Sequence, residues 1–239
     1  MQAVIVAGGK GSRLYPYSAV LPKPLMPLGD RPILEILLRQ LRAAGVTDVI
    51  LAVNHLRHLL EAFFGDGSRF GLSLTYSVED QPLGTAGPIG PLLDQLGDDF
   101  LLTNGDLLTT LDMSHLLAAH RSRQADATIG TYRRELQSEF GLLEVDEELR
   151  MTRYNEKPRY EHLVSMGIYV LRRDAVRPFI VPGESLNMPT LMQAMQRSGR
   201  HVFCHLEDCF WLDIGRPDDF AEAQAMVERD PQAFLPTLS

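Results

Sequence analysis

An apolar run, Ala3-Val4-Ile5-Val6-Ala7, breaks at once into Gly8-Gly9-Lys10-Gly11-Ser12-Arg13-Leu14. Small and β-branched residues without a polar break suit a strand buried on both faces, as in a parallel sheet. The glycines that follow let backbone N–H groups approach an anion closely, and Lys10 and Arg13 bring positive charge to the same place. Ten residues on, Lys23 stands between two rigid prolines, Pro22 and Pro24. A buried strand that opens into such a loop predicts a polyphosphate ligand.

Other phosphate loops do not fit. A P-loop needs Gly-x-x-x-x-Gly-Lys-Ser/Thr, which the stretch from Gly8 lacks. The dinucleotide fingerprint needs Gly-x-Gly-x-x-Gly leading straight into a helix. Gly9-Lys10-Gly11 begins it, but Leu14 occupies the third glycine position, and Pro16, Pro22 and Pro24 forbid an early helix. The plainer alternative is a glycine-rich surface turn.

At 239 residues the chain has ample length for a core, as one large α/β domain or a domain with a small lobe. A net charge of −8 gives a nucleic-acid partner no global support, so the cations of residues 10–23 form a local patch suited to a small anion. The N-terminus lacks the pattern of a signal peptide, and no stretch approaches the ~18 apolar residues of a membrane helix. A cytoplasmic protein with no membrane partner is expected. Cys204 and Cys209 make no disulfide framework, and with His201 and His205 they match no zinc spacing. They read as core or edge cysteines.

Strand-length and helix-length segments alternate along the chain. A second buried strand, 49–53, follows a helix from about Pro32 to Ala44, in which Leu34, Leu37, Leu38 and Leu41 keep helical spacing and Gly45 marks the end. A helix over 56–64, strands over 72–78 and 100–103, a helix near 114–123 and a strand over 127–132 come next. Repeated units of this length imply a mostly parallel sheet with helices on both faces. In the second half, 141–145, 151–154 and 164–171 read as short strands in an antiparallel or mixed insertion covering one edge of that sheet. Helices near 174–179 and 189–198, a strand over 201–205 and a helix from Pro217 to about Arg229 follow. With no linker or repeat, residues 1–239 read as one domain, divided functionally near residue 140.

Asp106 follows the strand at Phe100 directly, where ligands of an open parallel sheet gather and where the Gly8 loop also ends. An acid beside a phosphate loop is explained by a bridging cation, and Mg²⁺ takes one or two carboxylates with phosphate oxygens and water. A helix cap or turn is the alternative for Asp106. Asp213, ending the apolar run Phe210-Trp211-Leu212, is the natural second ligand, with a plain turn as its alternative. Glu156-Lys157-Pro158 offers a lysine for a phosphate and a glutamate for sugar hydroxyls, or simply a solvated pair.

Gly8-Gly9-x-Gly11-x-Arg13-Leu14 with Pro22-Lys23-Pro24 resembles the signature of the sugar-1-phosphate nucleotidylyltransferases. The similarity continues through Pro82-Leu83-Gly84-Thr85-Ala86-Gly87, Gly105-Asp106, Glu156-Lys157-Pro158, Gly167-Ile168-Tyr169 and Trp211-Leu212-Asp213-Ile214-Gly215, six motifs in order over nearly the whole chain. The resemblance implies a Rossmann-like three-layer α/β/α nucleotide-diphospho-sugar transferase fold, its sheet mixed but mostly parallel, with a small β-rich sugar-binding insertion. Residues 1–140 would mainly bind nucleotide, and 141–239 would bind sugar phosphate and close the site.

By the same resemblance, a sugar 1-phosphate oxygen attacks the α-phosphorus of a nucleoside triphosphate, pyrophosphate leaves and a nucleotide sugar forms. The nucleophile is already an anion, so catalysis rests on alignment and charge neutralisation. Arg13 would hold the departing phosphates and Lys23 would draw the two reacting phosphates together. Mg²⁺ on Asp106 and Asp213 would bridge them. Gly8, Gly9 and Gly11 would meet the nucleotide, and Gly84 and Thr85 would border the base. Glu156 would bind sugar hydroxyls and Lys157 the sugar phosphate, with Gly141 making room for the ring. The partners expected are an NTP and a sugar 1-phosphate, and self-association into a homo-oligomer is compatible with this reading.

Leu83-Gly84-Thr85-Ala86-Gly87-Pro88 is similar to the segment in mannose-1-phosphate guanylyltransferases and lacks the longer, Gln-containing thymidylyl form, so GTP is the expected donor. Thymidylyl, cytidylyl and uridylyl transfer are the alternatives within the family. Asn187 stands where most relatives carry an acid, which leaves mannose, a heptose, another hexose or a cyclitol as the sugar. No hexapeptide repeats follow the last helix, so an acyl-transferring β-helix is not expected. A metal-dependent glycosyltransferase would need an Asp-x-Asp pair that Asp106-Leu107-Leu108 does not supply. A silent regulatory subunit that binds nucleotide sugar would have lost Arg13 or Lys23, and both are present.

Overall fold

The computed structural model describes Met1–Gly9 and Gly11–Leu235. Lys10, one of the two cations noted in the glycine loop, lies outside the described residues. Seven strands form the main sheet: β1 (Gln2–Val6), β2 (Asp48–Val53), β3 (Ser73–Val78), β4 (Asp99–Asn104), β5 (Ala127–Gln137), β6 (Arg159–Arg172) and β7 (Val202–Leu206). Their spatial order is β7-β5-β6-β4-β1-β2-β3. Neighbours pair in parallel except at β6, which runs antiparallel to both β5 and β4. The mixed, mostly parallel sheet expected from the sequence is present.

Helices α1 (Ile33–Ala43), α2 (Arg57–Phe64) and α3 (Met113–Ser122) cover one face, and α4 (Met188–Arg197) covers the other. The strands supply apolar residues to both. Ala3, Ile5 and Leu101 pack with Leu34, Leu37, Leu38 and Leu41 of α1, while Val4, Phe100 and Leu102 pack with Leu191 and Met195 of α4. Alternation across a two-sided sheet explains the unbroken apolar runs, because successive side chains point to opposite, equally buried faces. Each fully buried leucine of α1 contributes about 1.5–3 kcal/mol.

One element sits differently from the expectation. Val164–Leu171 belongs not to an edge-covering insertion but to β6, an interior strand of the main sheet. Ile168 and Val170 enter the core on one face and Tyr169 and Leu171 on the other, which only a central strand accommodates. The separate β-rich piece is smaller: a hairpin of Leu142–Val145 with Met151–Asn155, paired only with itself. It caps a two-stranded arm in which Arg133–Gln137 of β5 pairs with Arg159–Leu163 of β6. The arm and hairpin are solvated, with Phe140, Leu143, Leu149, Tyr154 and Leu163 all exposed. A bulge between Ser165 and Tyr169 separates the arm from the buried half of β6.

A third apolar cluster lies below the glycine loop. Leu14, Met26, Leu28, Ile33, Leu108, Leu212 and Ile214 meet Ala223 and Val227 of α5 (Pro217–Arg229) there. Among the described residues no helix is long and apolar enough to cross a membrane.

Candidate active site

The chain builds β1, β2 and β3 toward one edge and then returns to place β4 on the other side of β1. The crevice between the carboxyl ends of β1 and β4 is therefore a switch point, the usual ligand position in such sheets. Both loops leave it side by side: Ala7 N–H donates to Ala52 O (2.9 Å) and Gly105 N–H donates to Val6 O (3.0 Å). The Gly8 loop and Asp106 converge there, as expected from their strand-end positions.

A cavity of about 220 Å³ opens at this point, lined by Gly9, Gly11, Arg13, Lys23, Gly105 and Asp106 among others. Gly11 takes φ +59°, a left-handed turn that favours glycine, and Leu14 N–H closes onto its carbonyl at 2.9 Å. Leu14 is buried in the third cluster while the neighbouring Arg13 remains exposed. The turn at Pro22-Lys23-Pro24 buries the stem of Lys23 and brings its Nζ to 2.5 Å from Asp106 Oδ2. Gly8 lies just behind, beside Asn54 and Glu79.

Asp213 reaches the same place from the far end of the sequence. Trp211–Asp213 forms a two-stranded ribbon with Leu107–Thr109, opposing Asp213 to Leu107, and Ile214 N–H donates to Asp106 O at 3.1 Å. Leu212 and Ile214, both in the third cluster, anchor the segment. A Cβ on Gly215 would stand 3.3–3.4 Å from the Arg13 guanidinium, so that side chain packs against Gly215, two residues beyond this ribbon. Burial, then the neighbouring Asp106 charge, push the Asp213 carboxyl above its ordinary value, against the pull of Lys23 and Arg13. Two like charges set together in this way form a donor set suited to a divalent cation, whose remaining ligands phosphate and water would supply. Among the described residues no group of three or more His, Cys, Asp or Glu gathers as a metal site. Cys204 is exposed on β7 and Cys209 is half-buried, both as free thiols.

A second cavity, about 260 Å³, lies alongside, since Asn104 and Leu107 of its wall flank Gly105-Asp106 of the first. Asp213, Trp211, Thr85, Met188 and the bulged segment Ser165-Met166-Gly167 complete much of that wall. The bulge is held by Trp211 Nε1–H donating to Met166 O (2.9 Å) and by a Ser165–Tyr169 hydroxyl contact (2.9 Å). Gly167, at φ +76°, lies against the Asn104 carboxamide. Bulges commonly re-aim side chains beside sites, and this one places Ser165 on the cavity wall while Met166 stays buried in the core.

Gly84 and Thr85 stand near the second cavity, and Thr85 is part of its wall. Gly141, Glu156 and Lys157 come together at the base of the exposed hairpin: a Cβ on Gly141 would be 2.8 Å from Glu156 Oε2. They line neither cavity. Lys157 adopts φ +42°, and the Glu156 carboxylate raises the Tyr154 phenol.

Glu79 did not stand out from its spacing. It follows β3 directly, buried to 9% exposure, and its Oε2 accepts Leu83 N–H at 3.0 Å. A Cβ on Gly8 would lie 3.0 Å from the other oxygen, so that oxygen faces the glycine loop. Burial raises its carboxyl above the usual range. The available signal was its place at the carboxyl end of a parallel strand.

The nucleotidyl transferase family model matches residues 2–230. A mannose-1-phosphate guanylyltransferase of Mycobacterium tuberculosis is 34% identical over 235 residues, 96% of this chain and 65% of that protein. A UTP–glucose-1-phosphate uridylyltransferase of Synechocystis is 32% identical over 93% of this chain and 62% of its own length. This chain thus spans under two-thirds of the length of either relative. Among solved structures, HddC from Yersinia pseudotuberculosis complexed with GMP-PN shares the fold, with a TM-score of 0.72, 23% identity and coverage of 94% of this chain and 98% of that one. Similarity to the nucleotidyl transferase model runs along nearly the whole sequence, and the chain belongs to the nucleotidyl transferase family.

Proposed function

We propose that this protein transfers a nucleotidyl group from a nucleoside triphosphate, preferably GTP, to a sugar 1-phosphate. The observation that carries this reading is the meeting of Lys23, Asp106, Asp213 and Arg13 at the junction of two cavities. The first cavity suits a triphosphate and the second a sugar. A phosphate oxygen of the sugar 1-phosphate forms a bond to the α-phosphorus, and the bond from that phosphorus to pyrophosphate breaks. Lys23 draws the two anionic reactants together and Arg13 holds the leaving phosphates, so the protein contributes position and positive charge rather than a base. Asp106 and Asp213 would hold a Mg²⁺ ion, which would neutralise charge developing on the phosphate oxygens. Glu156, Lys157 and Gly141, outside both cavity walls, are assigned to the sugar and its phosphate on the resemblance alone.

Glu79 supports guanine. When ionised, its oxygen facing the glycine loop is an acceptor, and guanine offers two adjacent N–H donors, at N1 and N2, whereas uracil and thymine offer one, N3–H, flanked by carbonyl acceptors. Leaving such a buried acceptor unpaired costs about 1–3 kcal/mol, or roughly 5- to 150-fold. The test is a pyrophosphate-release matrix of GTP, dTTP, UTP and CTP against sugar 1-phosphates, including mannose, glucose and heptose forms. GTP is expected to exceed the others in kcat/KM by at least about tenfold, and Glu79→Gln to erase most of that margin. A different preferred base overturns the guanine assignment and leaves the reaction class standing. No release from any pair refutes transferase activity.

A further inference from the structure

Leu83–Gly87 and the approach to α4 are locked together by main-chain contacts. Leu186 N–H donates to Leu83 O at 2.9 Å, and Leu186 O accepts from Ala86 N–H at 2.8 Å and Gly87 N–H at 3.0 Å. A Cβ at Gly84 would come within 2.6 Å of Leu186 O, and one at Gly87 within 2.7 Å of Glu184 O. One side chain joins this contact: Thr85 Oγ1 accepts from Met188 N–H at 2.8 Å. Met188 is the first residue of α4, where backbone N–H groups have no partner inside the helix. Asn187, at the N-cap position, makes no side-chain capping bond. The cap therefore comes from a distant segment. Met188 and Pro189 in turn form part of the wall of the second cavity.

We infer that Thr85 is a positioning residue for the sugar end of the site, acting through Met188, rather than a contact to the base. The inference rests on the proposed reaction for its substrates and departs from the base-bordering role that the resemblance implies for this residue. Its hydroxyl fixes where α4 begins, and so fixes the Met188-Pro189 wall that the sugar meets. Loss of the acceptor loosens that wall and leaves the triphosphate cavity, whose wall includes neither Thr85 nor Met188, intact.

Thr85→Val keeps the shape and removes the acceptor, while Thr85→Ser keeps the acceptor. The full chain is assayed with GTP, mannose 1-phosphate and Mg²⁺, and GTP binding is measured separately without sugar. Thr85→Val is expected to raise the KM for mannose 1-phosphate about tenfold while the GTP Kd changes less than about twofold, and Thr85→Ser restores the sugar KM. Amide exchange at Met188 should accelerate in the valine variant only. If Thr85→Val fails to fold, Thr85→Ala makes the same comparison. A weakened GTP Kd with an unchanged sugar KM overturns the inference, as does unaltered Met188 exchange. Should wild-type protein turn over no triphosphate and sugar pair, the reaction fails. The exchange result then decides alone: acceleration in the valine variant upholds the cap, and its absence overturns it.

Discussion

Gly84 and Gly183 both occupy the left-handed region, at φ +78° and +85°, yet their surroundings differ completely. No atom lies within 4 Å of a Cβ placed on Gly183. Gly183→Ala should therefore cost only the conformational penalty, about 1 kcal/mol. At Gly84 the same methyl group would stand 2.6 Å from Leu186 O and 2.7 Å from Asn187 Oδ1. Leu186 O already accepts two hydrogen bonds, so it cannot withdraw without breaking them. Overpacking of this kind adds about 1–3 kcal/mol, giving about 2–4 kcal/mol in all for Gly84→Ala. At about 2–4 °C per kcal/mol for a chain of this size, Gly183→Ala lowers Tm by about 2–4 °C and Gly84→Ala by about 4–16 °C. Urea unfolding followed by circular dichroism gives the free-energy difference directly, with equal m-values as the control. Two variants equal within about 0.5 kcal/mol would refute the close approach of Gly84 to Leu186, and with it the locking of the two segments.

Asp106→Asn, nearly isosteric, should leave the unfolding transition in place and lower kcat at least about a hundredfold with Mg²⁺ present; a near-normal rate removes Asp106 from the metal assignment. Lys23→Ala should lower kcat about 10²–10³-fold, measured by pyrophosphate release, and a change in KM alone would make Lys23 a binding residue only. His120, fully buried with Nδ1 2.9 Å from Thr128 Oγ1, has its ring held below the ordinary histidine range by burial, despite Asp99 at 3.5 Å. The unfolded chain takes up this proton first, so stability is fully present above about pH 6.5 and falls as pH drops below it. A Tm series from pH 8 to 5 should show that loss, and His120→Gln should flatten it; parallel profiles for the two proteins would discount His120.

Residues legible in the sequence are those whose neighbours announce their position. Arg13 lies in a glycine loop, Lys23 between prolines, and Asp106 and Asp213 at the ends of apolar runs, so loops, turns and strand ends mark all four in the sequence. Glu79 lies in a polar stretch, and its approach to Gly8 joins residues 71 apart in sequence and adjacent in space. Ser165 faces a cavity because of a register shift against β5, and period-two spacing carries no mark of such a shift. Thr85 was legible as a member of a motif, but its bond to Met188 joins segments that no local pattern connects. The interior place of β6 was missed for a related reason: its exposed half is charged and reads as surface, while its buried half is short.

The two halves of β6 make it a beam clamped at one end. Ile168–Leu171 is the clamp, gripped by strands on both sides, and Arg159–Leu163 with the hairpin is the free span. The clamp edge falls at Ser165–Gly167, the same residues that wall the second cavity. Any load borne by the hairpin is thus delivered to that wall, and the lever arm outside the molecule ends where a sugar would rest.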